Sequence, residues 1–200
     1  MKKIWSVLLA AAMMLSLAAC GSSNNNTSES SKKKGSEFKG KAIVVYYSGS
    51  GNTKRVANFV ADELDADTFE IIPAVPYSDS DLNWRDRNSR VNREHDNVSL
   101  QYVKLASTEV PNWSDYDVVL FGYPIWWGEA PWIVNNFIKS NNFTGKKVVL
   151  FCTSASSGIG SSGTNLEKMA GTGDWLEGKR FSEKPNKGSV REWVRGLDLK

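Results

Sequence analysis

"YYSGSGNTKRVANFV", residues 46–60, is the stretch on which the reading of this chain turns. Its six positions Ser48 to Thr53 hold two glycines, three hydroxyl residues and an asparagine. The run before them, "AIVVYY" (42–47), is continuous, β-branched and aromatic, the signature of a strand buried on both faces. After them Val56, Phe59, Val60 and Leu64 recur at helical spacing, with Ala57 and Ala61 alongside. The stretch is therefore a strand, a tight polar turn and a helix. Glycine permits positive φ and close backbone approach, and the N–H groups of a helix start point at an anion with a favourable dipole. Hydroxyls at Ser48, Ser50 and Thr53 and the amide of Asn52 add donors. Such a turn can hold a phosphate without arginine.

The kind of phosphate is narrowed by what is missing. The Walker pattern does not occur. The dinucleotide fingerprint fits Gly49 and Gly51 and then meets Lys54 where its third glycine belongs, so Glu70 gains little support as a ribose-binding acid. A mononucleotide with one terminal phosphate suits the six-residue loop better.

Further strands are expected at "DTFEII" (67–72), "DVVLFG" (117–122), "KKVVLFC" (146–152) and, as a short fifth, within "WLEGKRFS" (175–182). Helices are expected over 131–140, with Pro131 at the first helical position, over roughly 163–170, and at "SVREWVRGL" (189–197). Strands alternating with helices imply a doubly wound parallel sheet, with ligands beyond the carboxyl ends of the strands. The loops 48–53, 123–130 and 153–160 all follow strands. Residues 73–116 break the alternation, and so long a connection is usually functional or disordered. Arg85, Arg87, Arg90 and Arg93 alternate there with acids, which reads as a solvated, ion-paired helix or as a lid beside the ligand. With ligand contacts expected from the three loops, none of which lies inside it, the insertion is expected to shape access and not ligand binding itself.

"SGSGNTKRVA" resembles the phosphate loop of the flavodoxin superfamily, and "FGYPIWWGEAPWIVNNFI" and "LFCTSASSGIGSS" resemble its two ring-embracing loops. The match spans residues 41–165 at least, with a subfamily-like insertion before the third strand. The resemblance implies a flavodoxin-like five-stranded parallel sheet, order 2-1-3-4-5, over 38–200. It also implies FMN, not FAD. The phosphate would rest on Ser48, Ser50, Gly51, Asn52 and Thr53. Pro124, Ile125, Trp126, Trp127 and Gly128 would line one side of the ring. Thr153, Ser154, Ala155, Ser156, Ser157, Gly158 and Gly160 would line the other. A flat π-ligand needs apolar or aromatic walls, and small residues let backbone donors reach its polar edge.

The amino-terminal segment differs in composition from the rest of the chain. "MKKIWSVLLAAAMMLSLAAC" has a basic start, an apolar run and small residues before Cys20, so residues 1–19 form a signal peptide. Leu17-Ala18-Ala19-Cys20 resembles the lipobox of bacterial lipoproteins, which implies lipidation of Cys20 and an extracytoplasmic, membrane-anchored protein. Residues 21–37 lack apolar side chains and read as a disordered tether. The one remaining cysteine, Cys152, has no partner for an intramolecular disulfide, so the core alone must stabilise the fold.

Loss of Lys2 and Lys3 with the signal takes the formal charge from +3 to +1, which gives no support to nucleic-acid binding. A single histidine, His95, builds neither a Ser-His-Asp triad nor a metal site. Electron-carrier flavodoxins are strongly acidic and this chain is not, so the resemblance favours an oxidoreductase working with a quinone, a nicotinamide cofactor or a redox protein. A simple carrier or a non-catalytic flavin-binding module is the alternative.

Overall fold

Ala42–Tyr46 forms β1, an interior strand of a five-stranded sheet. It lies between β2 (Asp67–Glu70) and β3 (Val118–Pro124), with β4 (Lys147–Thr153) and β5 (Asp174–Phe181) beyond. Every pairing is parallel, and the order is β2-β1-β3-β4-β5, as the resemblance implied. The computed structural model describes residues 40–199. The expected signal peptide, Cys20 and the tether to residue 37 lie outside the described residues.

The continuous apolar strands split by parity. Ile43, Val45 and Tyr47 face one side, joined by Val119, Phe121 and Tyr123 of β3 and by Val148, Leu150 and Cys152 of β4. Ala42, Val44 and Tyr46 face the other, with Val118, Leu120, Val149 and Phe151. Both faces are buried because helices cover both. α1 (Asn52–Leu64) and α5 (Lys187–Arg195) lie on the second face through Val56, Ala57, Val60, Val190 and Val194. Val56 and Val60 are fully buried, each worth about 1.5–3 kcal/mol relative to exposure. α3 (Ile133–Ser140) and α4 (Ser162–Ala170) cover the first face through Ile133, Val134, Phe137, Ile138 and Leu166. α3 begins two residues after Pro131, so the proline precedes the first turn instead of opening it.

At the sheet's centre Gly122 pairs with Phe151. A Cβ on Gly122 would stand 2.1 Å from the Phe151 ring, which lies across the glycine and reaches Trp193 of α5 at 6.2 Å between centroids. The fifth strand runs eight residues and shifts register against β4 between Val149 and Phe151. Gly178 sits near that shift, where a Cβ would fall 2.3 Å from Ile159 Cδ1.

The insertion is α-helical over only seven residues, and the ion pair within that helix, Arg90–Glu94, is largely buried instead of solvated. It returns across the first face as irregular chain, with one short helix, α2 (Arg90–Asp96), and 3₁₀ turns at Val98–Leu100 and Trp113–Asp115. Val91, Val103, Leu105, Val110 and Tyr116 enter the core. Its two limbs meet where Ala74 N–H donates to Lys104 O at 2.8 Å and Ala106 N–H donates to Ile72 O at 2.8 Å. β2 ends at Glu70, two residues early, because the chain turns to make that pairing.

Candidate functional site

The loops after β1, β3 and β4 come together beyond the carboxyl ends of the strands. In the first, Gly51 has φ +82° and starts α1 with no side-chain cap, leaving the helix-start N–H groups for another acceptor. The Ser48 hydroxyl oxygen is buried and has no partner in the protein. A buried unpaired hydroxyl costs about 1–3 kcal/mol, so its presence beside uncapped N–H groups marks a place built for an acceptor. Asn52 Nδ2 donates to Ser50 Oγ at 3.3 Å, with Ser50 itself exposed. Thr53 differs from the others. Its hydroxyl is buried and bonded to the Thr153 hydroxyl at 2.7 Å, joining the phosphate-type loop to the end of β4.

The second loop is held by Ile125 N–H donating to Thr153 O at 2.9 Å. Trp126 and Glu129 then exchange backbone hydrogen bonds, both 2.9 Å, around Trp127 (φ +47°) and Gly128 (φ +83°). Two positive φ angles in a two-residue connection are the mark of the type I′ turn. For Trp127 that conformation costs about 1–2 kcal/mol. Trp126 is half-buried, edge-on to Tyr47 at 5.8 Å, to Tyr77 at 5.9 Å and to Trp132 at 5.3 Å. Trp127 is exposed and stacks on His95 of the insertion, centroids 4.2 Å apart and planes 20° apart. The Glu129 carboxylate accepts from Ser161 Oγ at 2.9 Å and from Asn165 Nδ2 at 3.0 Å, pinning this loop to α4.

The flavodoxin family model matches residues 41–197. The chain belongs to the flavodoxin family. A candidate flavoprotein of Bacteroides eggerthii is 36% identical with a TM-score of 0.69, over 79% of this chain and 99% of that one. Another, from Bacteroides uniformis, is 35% identical with a TM-score of 0.70, over 78% and 98%. A Lactobacillus acidophilus flavoprotein solved in complex with FMN shares the fold at 20% identity, TM-score 0.56, over 77% of this chain and 98% of that one. The chain matches no protein of curated function.

In this flavodoxin-family protein the third loop has an organiser that sequence reasoning missed. Arg180 of β5 donates from Nη2 to Ser154 O at 2.8 Å and Ala155 O at 2.6 Å, and from Nε to Ser154 Oγ at 3.1 Å. Ser154 Oγ in turn donates to Ser157 O. Carbonyls drawn toward Arg180 leave the loop's N–H groups to face elsewhere. Ser154 is thus tied up within the loop, whereas Ala155, Ser156, Ser157 and Gly158 are exposed. Gly160 (φ +54°) comes close to the second loop, since its Cβ would lie 3.5 Å from Gly128 O.

Lys54 and Glu70, the two positions that bore on the dinucleotide fingerprint, pair with each other at 2.7 Å. Cys152 is fully buried, and desolvation pushes its thiol up to about 12, opposed by the Arg180 charge. It is a core residue, not a nucleophile. Two surface cavities, ≈ 670 Å³ at the amino ends of β3 to β5 and ≈ 850 Å³ between β5 and α5, lie outside the three-loop cluster. Neither contains an unpartnered buried hydroxyl or a tryptophan wall like that of the loops, so donor chemistry and not cavity size identifies the site.

Proposed function

We propose that the protein binds FMN and exchanges electrons between it and a quinone, nicotinamide cofactor or redox protein, held at a membrane through a lipidated Cys20. The observation that carries the cofactor assignment is the buried, unpartnered Ser48 hydroxyl beside the uncapped start of α1. A phosphate monoester supplies the acceptor that both lack. FMN is preferred over FAD because the loop has Lys54 where a pyrophosphate site needs its third glycine.

Ser48 and the α1 N–H groups would bind the phosphate, with Ser50 and Asn52 at its exposed rim. Thr53 contributes through Thr153, fixing the distance between the phosphate loop and the ring loop. Trp126 and Trp127 would wall one face of the ring and exclude water from it. The 155–160 backbone would meet its polar edge. FMN when bound supplies the electron-accepting and electron-donating ring, and the protein tunes it by stacking and hydrogen bonding. The family fold at 36% identity supports a flavin site, and the near-neutral charge supports an oxidoreductase over a small acidic carrier.

The test is the absorption spectrum of the purified protein, followed by reconstitution with FMN and FAD. Yellow protein with FMN released on denaturation is the expected result. Preference for FAD, or no flavin uptake by folded protein, refutes the assignment. Oxidation of NAD(P)H or a quinol by the loaded protein then separates an oxidoreductase from a passive binder.

A further inference from the structure

Glu94 belongs to the insertion, yet it is buried at 6% exposure behind the tryptophan loop. Its Oε2 accepts from the Tyr77 hydroxyl and from Trp132 Nε1 at 2.8 Å. Its Oε1 accepts from Arg90 Nε at 2.6 Å, within an i,i+4 pair on α2. Arg90 also donates to Val75 O at 2.8 Å and lies 3.9 Å above the Tyr77 ring, so every charge here has a partner.

The two rings bound to Oε2 are two of the three that flank Trp126. Tyr77 meets it at 5.9 Å and 74°, and Trp132 at 5.3 Å and 66°. An aromatic ring held edge-on from several sides has little rotational freedom, and one carboxylate oxygen sets two of those sides. A buried ion pair is weak evidence of a contribution to stability but well suited to fixing one geometry. The geometry points to Glu94 as a positioning residue: through Tyr77 and Trp132 it fixes the plane that Trp126 offers to the flavin. This rests on the FMN reading above, and it makes the insertion part of the cofactor wall instead of an access lid alone.

Glu94→Gln is nearly isosteric but must turn its amide NH₂ either toward Arg90 or toward the Tyr77 and Trp132 donors, so one side of the clamp is lost. Tyr77→Phe keeps the ring and deletes a single hydrogen bond to Oε2. Val194→Ala, on the opposite face of the sheet, serves as a control that loosens the fold alone. FMN affinity by fluorescence titration and near-ultraviolet circular dichroism of the flavin-free protein are the readouts.

For Glu94→Gln the expected results are an altered tryptophan dichroism and an FMN Kd raised roughly tenfold, the size of one charged hydrogen bond. Tyr77→Phe should change both in the same direction and by less. Val194→Ala should lower Tm and leave both readouts unchanged. Wild-type Kd and wild-type dichroism in folded Glu94→Gln overturn the inference. If that variant does not fold, the same two wild-type readings in Tyr77→Phe overturn it. Equal Kd losses in Glu94→Gln and Val194→Ala also overturn it, because general loosening then suffices. Failure of the wild type to take up FMN refutes the functional reading instead, and unchanged dichroism in the flavin-free variants would still refute the clamp.

Discussion

Ser48→Ala should move two properties in opposite directions. Without ligand, the Ser48 hydroxyl oxygen is buried with no partner, a penalty of about 1–3 kcal/mol that alanine removes. The flavin-free protein should therefore gain up to that amount, or roughly 2–12 °C in Tm for a domain of this size. With FMN, the same hydroxyl would donate to a charged phosphate oxygen, a bond worth about 1.5–3 kcal/mol. Its loss should weaken binding about 10- to 100-fold. Thermal shift without flavin and fluorescence titration with FMN measure the two halves separately. Ser50→Ala is the comparison, since Ser50 is exposed and should change flavin-free stability little. A Ser48→Ala protein that melts earlier than wild type, or that binds FMN as tightly, would refute the argument that this hydroxyl waits for a phosphate.

Other expectations concern the anchor, the third loop and the buried thiol. Cys20→Ser should shift the protein out of the membrane fraction, and unchanged fractionation would defeat the lipobox reading. Arg180→Ala frees the Ser154 and Ala155 carbonyls, so FMN Kd should rise about fivefold, the equivalent of one ordinary hydrogen bond, with a faster off-rate in stopped-flow. Cys152 titrates near 12 when folded against an ordinary 9.0, so the unfolded chain releases its proton first as pH rises. Stability from this group is constant below about pH 9 and declines between 9 and about 12, with the unfolded state binding fewer protons across that window. At pH 8 native Cys152 should react with a thiol reagent at least about a thousandfold more slowly than the denatured chain.

The sheet and its loops were legible because their signals are local. Apolar runs at 42–47, 117–122 and 146–152 needed no long-range information, and the glycines and hydroxyls of 48–53 announce their turn by composition. The fifth strand was expected to be short, whereas it runs eight residues, and its Gly178 makes room for Ile159. The insertion was misjudged for a different reason. Val91, Val103, Leu105 and Val110 are spaced too irregularly for either period, and their burial depends on a distant sheet face. Glu94 sits in the polar string "NREHDN", and nothing local separates it from its solvated neighbours. Arg180 acts on carbonyls 25 and 26 residues back, a relation set by strand order and not by spacing. Thr53 was counted as a donor, and its hydroxyl is also bonded to that of Thr153, a hundred residues away, a contact no local pattern announces.

Gly122 and Phe151 carry a consequence for how this sequence can diverge. One strand lends the space and its neighbour supplies the bulk, so the volume at that spot is owned jointly. Enlarging residue 122 alone forces a clash with the ring, and shrinking Phe151 alone opens a hole beneath Trp193 costing about 3–5 kcal/mol. Descendants could transfer the bulk from one strand to the other only through an intermediate weaker than either end. The pair should therefore behave as a single inherited character, changing rarely and, when it does, at both positions together.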